Sequence, residues 1–199
     1  MDTAHQEISV FFQAVPRSVC DAILEMGESR TPSQAEISKG EDVTEDLSFR
    51  DSEVSFLSLD SWVAGLMRHF IDLANAGKWN YPLSELQALQ YAVYRVNGHF
   101  GWHQDGREVE GPESYGSDAE TGASGFARRV TGVLFLSDNT EYSGGRLELR
   151  DEHGVIHTDP SFLVAGTCVV FPSHVFHRVT PVVSGIRKTL ATWALGPAA

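Results

Sequence analysis

After Pro82 the chain becomes a series of short runs rich in β-branched and aromatic residues: LQALQYAVYRV, RRVTGVLFLS, GRLELR, GVIHT, GTCVVFP, HVFHRVTPV and KTLATWAL. Turn signals separate them: NG at 97–98, SGG at 143–145, HG at 153–154, AG at 165–166 and SG at 184–185. Seven or eight strands within about 110 residues, with no helical period between them, leave an antiparallel sandwich or jelly roll as the expected core.

The front half reads differently. VPRSVCDAILEMG places Pro16 in a first turn, then Val19, Ala22, Ile23 and Met26 at helical spacing, with Gly27 as a stop. LDSWVAGLMRHFIDLANAG has Asp60 or Ser61 as N-cap, an apolar stripe of Trp62, Val63, Leu66, Phe70 and Leu73, and a stop at Asn75–Gly77. Residues 28–53 are polar, acidic and without period, a surface segment with at most short strands. The expectation is an α+β fold in one domain, with a helical front over 1–82 and a jelly-roll core over 83–196. The helices would cover one sheet's outer apolar face.

Composition narrows the function. Fifteen basic residues against 27 acidic ones give a net charge of −12, the wrong sign for nucleic acid or an anionic membrane. No apolar run approaches the ~18–20 residues that span a bilayer, and the start lacks the pattern of a signal peptide. The two cysteines, Cys20 and Cys168, are far apart and suit a reducing cytoplasm. A monomer or a homodimer is expected.

The chemistry concentrates in GHFGWHQDGRE, from Gly98 to Glu108. On an extended segment, residues i and i+2 share a face, so His103 and Asp105 converge. His177, on a late strand, can join them if the sheet folds back. Two histidines and a carboxylate on one face of an octahedron suit non-haem ferrous iron, although hydrolytic zinc uses the same set. Arg187, ten residues after His177, opens the next strand. A guanidinium in a barrel mouth calls for an anion, and its fork matches a carboxylate. The other histidines fit less well: His174 and His99 have the wrong parity, and His153 and His157 flank a turn.

YRVNGHFGWHQD, RRVTGVLFLSDNTEYSGGRLEL and AGTCVVFPSHVFHRVTPVVSGIRKTLATWAL together resemble the iron- and 2-oxoglutarate-dependent dioxygenases, more narrowly the prolyl 4-hydroxylase-like branch. Tyr94, Gly98, Phe100, His103, Asp105, Arg129, Gly144, Gly145, His177, Arg187 and Trp193 occupy the positions of the recurrent pattern. The resemblance implies Fe(II) on His103, Asp105 and His177, and 2-oxoglutarate with its distal carboxylate on Arg187. It places the Tyr94 hydroxyl against the co-substrate and Trp193 near the metal. Gly144 and Gly145 would be hairpin residues. O2 is the oxidant, with ascorbate as a further candidate. The intact HxD favours hydroxylation of an unactivated C–H over halogenation.

The substrate is then a prolyl residue in a peptide or protein, or a free amino acid or natural product. The glycine-rich, acidic stretch between Asp105 and Arg128 reads as a cover over the site. Tyr115 and Phe126 lie along it as contacts, with Arg107, Arg128 and Arg129 for a substrate carboxylate. A zinc hydrolase is the first alternative, but no HExxH occurs and Arg187 would have no role. A non-catalytic jelly-roll ligand sensor is the second. A nucleic-acid demethylase is disfavoured by the acidic surface and by the lack of a second downstream arginine.

Overall fold

The computed structural model describes residues 8–39, 42–44, 46–106 and 126–197. The front of the chain forms β1 (Ser9–Phe11), α1 (Arg17–Glu28), β2 (Ser33–Gln34), β3 (Ile37–Lys39), β4 (Asp42–Thr44), β5 (Arg50–Asp51), β6 (Glu53–Leu57) and α2 (Trp62–Lys78). The remainder forms β7 (Leu86–Tyr94), β8 (His99–His103), β9 (Phe126–Phe135), β10 (Tyr142–Gly144), β11 (Leu147–Arg150) and β12 (Ile156–His157). After a 3-10 turn at Pro160–Leu163 come β13 (Cys168–Pro172), β14 (Phe176–Val179), β15 (Val182–Gly185) and β16 (Arg187–Pro197).

A seven-stranded sheet runs β1-β13-β9-β16-β7-β6-β2, and a five-stranded sheet runs β12-β11-β14-β8-β5. Their ladders are antiparallel. This is the α+β double-stranded β-helix expected above, with both helices on the larger sheet. Strand alternation explains the apolar runs. On β9, Val130 and Leu134 face the helices while Val133 and Phe135 face the smaller sheet; on β13, Cys168 and Val170 oppose Val169 and Phe171 in the same way. A strand covered on both sides has no polar face to show. The front is more than helical, because β1 pairs with β13, β6 with β7, and β5 with β8. No helix among the described residues is long and apolar enough to cross a membrane.

Both helices differ from expectation in detail. In α2 the buried residues are Val63, Met67, Phe70, Ile71, Ala74 and Asn75, while Trp62 is 51% exposed and Leu73 50%. Gly132 on β9 is the cause. A Cβ there would meet Ile71 and Met67 at 3.3–3.4 Å, so its absence makes the groove that draws this ridge inward. The helix also continues past Asn75, whose side-chain amide accepts from the Tyr81 N–H and donates to the Tyr81 carbonyl, both at 2.9 Å. It ends at Lys78, and Asn80, two residues further on, takes φ 53°. In α1, Gly27 is not a stop but a buried helical residue. A Cβ there would lie 2.5 Å from the Tyr91 ring.

Candidate metal centre

The ladder between β14 and β8 sets His177 directly opposite His103. Their rings lie 4.1 Å apart, tilted by 53°. Asp105 follows just past the end of β8, where its N–H and that of Gly106 both donate to the Ser173 carbonyl at 2.9 Å. Gly106 permits that approach, since a Cβ there would stand 2.6 Å from the Arg128 carbonyl oxygen. Asp105 Oδ1 comes to 3.7 Å from His103 Nε2, and Oδ2 to 3.4 Å from His177 Nε2. One ligand atom from each of the three residues lies within 4.8 Å of the others, so the cluster could hold a metal ion.

The donor set is prepared for a cation. His103 Nδ1 is held 2.8 Å from the Gly101 carbonyl, and His177 Nδ1 2.9 Å from that of Val175. These bonds hold a proton on Nδ1 and turn the two Nε2 atoms toward the carboxylate. Thr131 Oγ1 donates to Asp105 Oδ2 at 2.9 Å and shares a second 2.9 Å bond with Ser173. Burial, aided by the charge of His177, pushes the His103 imidazole down to about 3, which keeps it a neutral ligand. Burial alone would raise Asp105 and lower His177. Their mutual charge and hydrogen bond outweigh it, holding Asp105 well below the usual carboxylate range and His177 above the usual imidazole.

Arg187 is 1% exposed, the largest fully buried side chain. Its Cζ lies 4.9 Å from the Tyr94 ring centre and 5.1 Å from that of Phe135. Nη1 reaches Thr189 Oγ1 at 3.5 Å, and Nε has no partner. No carboxylate among the described residues pairs with it. Phe135 belongs to the same inner cluster as Phe171, which meets His177 edge-on at 4.9 Å, so this cation faces the interior that holds the triad.

Tyr142 was missed by sequence reasoning. Its buried hydroxyl is without a partner in the field of Arg187; burial raises it, so it stays a donor. Nor do Gly144 and Gly145 turn a hairpin. β10 pairs with β15 while β11 pairs with β14, and the glycines make the bulged crossing between those ladders at φ 72° and 56°. A Cβ at 145 would lie 2.9 Å from Arg187 Cδ, so this glycine leaves room for the guanidinium.

Tyr94 is buried opposite Arg187 in the β7–β16 ladder. Trp193 is buried with its indole N–H unpartnered, and Arg128 lies over its ring at 3.9 Å. Arg129 instead donates from Nε to the Pro197 carbonyl at 2.8 Å, whereas the charge of Arg128 bears on Asp105. Phe126 opens β9 and is 37% exposed. Arg107 and Tyr115 lie outside the described residues. His174 is exposed on a turn, and His99 is held by the Asn97 and Ser48 carbonyls.

Residues 89–195 match the family described as the 2OG-Fe(II) oxygenase superfamily. A PKHD-type hydroxylase of Cupriavidus metallidurans is 34% identical over 145 residues, 69% of this chain and 58% of its own length. Another, of Pseudomonas putida F1, is 33% identical over 125 residues, 58% of this chain and 49% of its own. The chain thus spans about half the length of the curated relatives it matches. Among solved structures, a Pseudomonas putida prolyl-4-hydroxylase superposes with TM-score 0.71 at 19% identity, covering 99% of this chain and 96% of that one. A Trichoplax adhaerens prolyl hydroxylase, in complex with a hypoxia inducible factor oxygen degradation domain peptide fragment, gives 0.73 at 16%, covering 96% and 84%. At such identities these two show a shared fold.

Proposed function

The chain belongs to the 2OG-Fe(II) oxygenase superfamily, and from that premise we propose that it is an Fe(II)- and 2-oxoglutarate-dependent hydroxylase of an unactivated C–H. The observation that carries this reading is the buried Arg187, a cation without a carboxylate, facing the interior where two histidines and an aspartate converge. An unpaired buried charge costs several kcal/mol, more than packing around it returns. A dicarboxylate co-substrate supplies the missing anion.

In this reading His103, Asp105 and His177 hold the iron by Nε2, carboxylate and Nε2. Iron, when bound, supplies the coupled use of 2-oxoglutarate and O2 that yields succinate, carbon dioxide and a hydroxylated carbon. The chain's own residues do the rest. Arg187 takes the distal carboxylate with its fork, Tyr142 and Thr189 offer hydroxyls beside it, and Tyr94 and Phe135 wall the guanidinium from water. The buried Thr131–Ser173 pair keeps Asp105 from turning away.

The substrate proposed first is a prolyl residue in a peptide, which the peptide-bound neighbour supports, with a free amino acid second. We further propose that residues 1–199 act as one oxygenase domain, since front-half strands enter both sheets. Two unpaired, buried cysteines support a reducing cytoplasm.

Anaerobic Fe(II) titration with and without 2-oxoglutarate, followed by visible absorption, tests the site. A charge-transfer band is expected in the native protein and in His174→Ala, and none in His177→Ala. Arg187→Met should weaken 2-oxoglutarate binding at least ~100-fold, about 2.7 kcal/mol. Equal binding without Arg187 would remove the co-substrate assignment.

A further inference from the structure

A second guanidinium is buried in the same interior. Arg50, on the edge strand β5, pairs with Phe100 across the β5–β8 ladder and is 8% exposed. Its Cζ lies 4.4 Å from the Phe100 ring centre, and Phe100 stacks on the His103 imidazole at 3.6 Å and 18°. Arg50 is thus one aromatic ring away from the triad.

Its hydrogen bonds do not neutralise it. Nε donates to Ser52 Oγ at 3.1 Å and Nη1 to the Glu36 carbonyl at 3.4 Å, both uncharged acceptors, while the buried Nη2 has no partner. The acids beside it in sequence are on the other parity: Glu53 pairs with Arg95 at 3.0 Å on the exposed side. No carboxylate among the described residues pairs with Arg50. Two neutral hydrogen bonds and one stacking contact return less than an uncompensated buried cation costs. A mere brace for Phe100 would be better served by an uncharged side chain.

We propose that Arg50 is a second anion receptor of this interior, taking a carboxylate of the primary substrate. This rests on the function proposed above, in which Arg187, on the opposite sheet, is already committed to 2-oxoglutarate. Arg50 approaches from the side of His103, and its planar fork suits a carboxylate. The substrate therefore carries an acid close to the C–H that is hydroxylated: either its own α-carboxylate or a neighbouring acidic side chain.

The test is thermal unfolding, under nitrogen with Fe(II) and 2-oxoglutarate present, of the native protein, Arg50→Met and Arg50→Lys. Without further ligand, Arg50→Met should melt about 4 °C higher, because it removes an unpaired charge. The probes are N-acetyl-L-proline, whose acid is the α-carboxylate, and N-acetyl-prolyl-glutamyl amide, whose acid is a side chain. N-acetyl-L-prolinamide is the neutral control. One acid should raise the melting temperature of the native protein and of Arg50→Lys above the control, and leave Arg50→Met unmoved; which acid does so names the source of the carboxylate. Arg50→Met melting lower than native would make Arg50 a structural brace. Neither acid exceeding the control, or either stabilising Arg50→Met equally, also overturns the receptor. Failure of the charge-transfer band in the native protein would instead strike the iron and 2-oxoglutarate reading, while the Arg50→Met comparison without probe would still report on the charge.

Discussion

Thr131 shows how a residue that is not itself a metal ligand can decide whether a ligand points the right way. Its hydroxyl bridges Asp105 Oδ2 and Ser173 Oγ from the buried middle of β9. Thr131→Val keeps the shape and removes the bridge. Metal affinity should fall 10- to 100-fold, about 1.4–2.7 kcal/mol, in anaerobic Fe(II) titration. An unchanged affinity would show that Asp105 needs no support. Gly145 acts by absence. A methyl there meets Arg187 Cδ and sits at φ 56°, where an L-residue is strained. Gly145→Ala should therefore raise the dissociation constant for 2-oxoglutarate at least tenfold, ~1.4 kcal/mol, measured by the same titration.

Among elements, α1 and β7 meet most tightly at Gly27, which faces the Tyr91 ring. Two effects of Gly27→Ala oppose each other. Helix propensity favours alanine by about 0.8–1 kcal/mol, and overpacking typically costs ~1–3 kcal/mol. At 2.5 Å from a ring fixed in a central strand, overpacking wins, and the urea midpoint should fall by the equivalent of about 1–2 kcal/mol. A rise would mean that α1 can shift outward without loss. The helical stripes were legible in part: 3.6-residue spacing found both helices, yet Trp62 and Leu73 satisfied it as well as Met67 and Ile71. The groove at Gly132, more than sixty residues away in sequence, chose between the two ridges.

At the scale of the molecule, the larger sheet closes at one edge with β1, laid on β13 near the start of the chain. Phe11 of that strand packs on Phe70 of α2 at 5.0 Å, so sheet edge and helix layer share an anchor. Removing residues 1–12 uncovers the β13 edge as well as part of the core. Thermal unfolding should drop by about 5 °C, and light scattering should show association through the bared strand. A truncated protein that melts and stays dispersed like the full chain would show that β1 is dispensable. The chain's −12 charge belongs to this scale too, a net field of the wrong sign for attracting phosphate backbones.

Strand period, turn residues and the spacing of His103, Asp105, His177 and Arg187 follow local rules, which narrowed the core to an antiparallel sandwich or jelly roll and marked the candidate ligands; the resemblance to the dioxygenases chose between the two. Arg50, Tyr142 and Thr131 had no such mark, because an arginine, a tyrosine or a threonine in a strand becomes informative only when burial strips it of water and its partners can be counted. That count depends on which strands lie side by side. Pairing β5 with β8 and β10 with β15 is a choice of register between segments far apart in the chain, made by the packing of two sheets and fixed by no single residue.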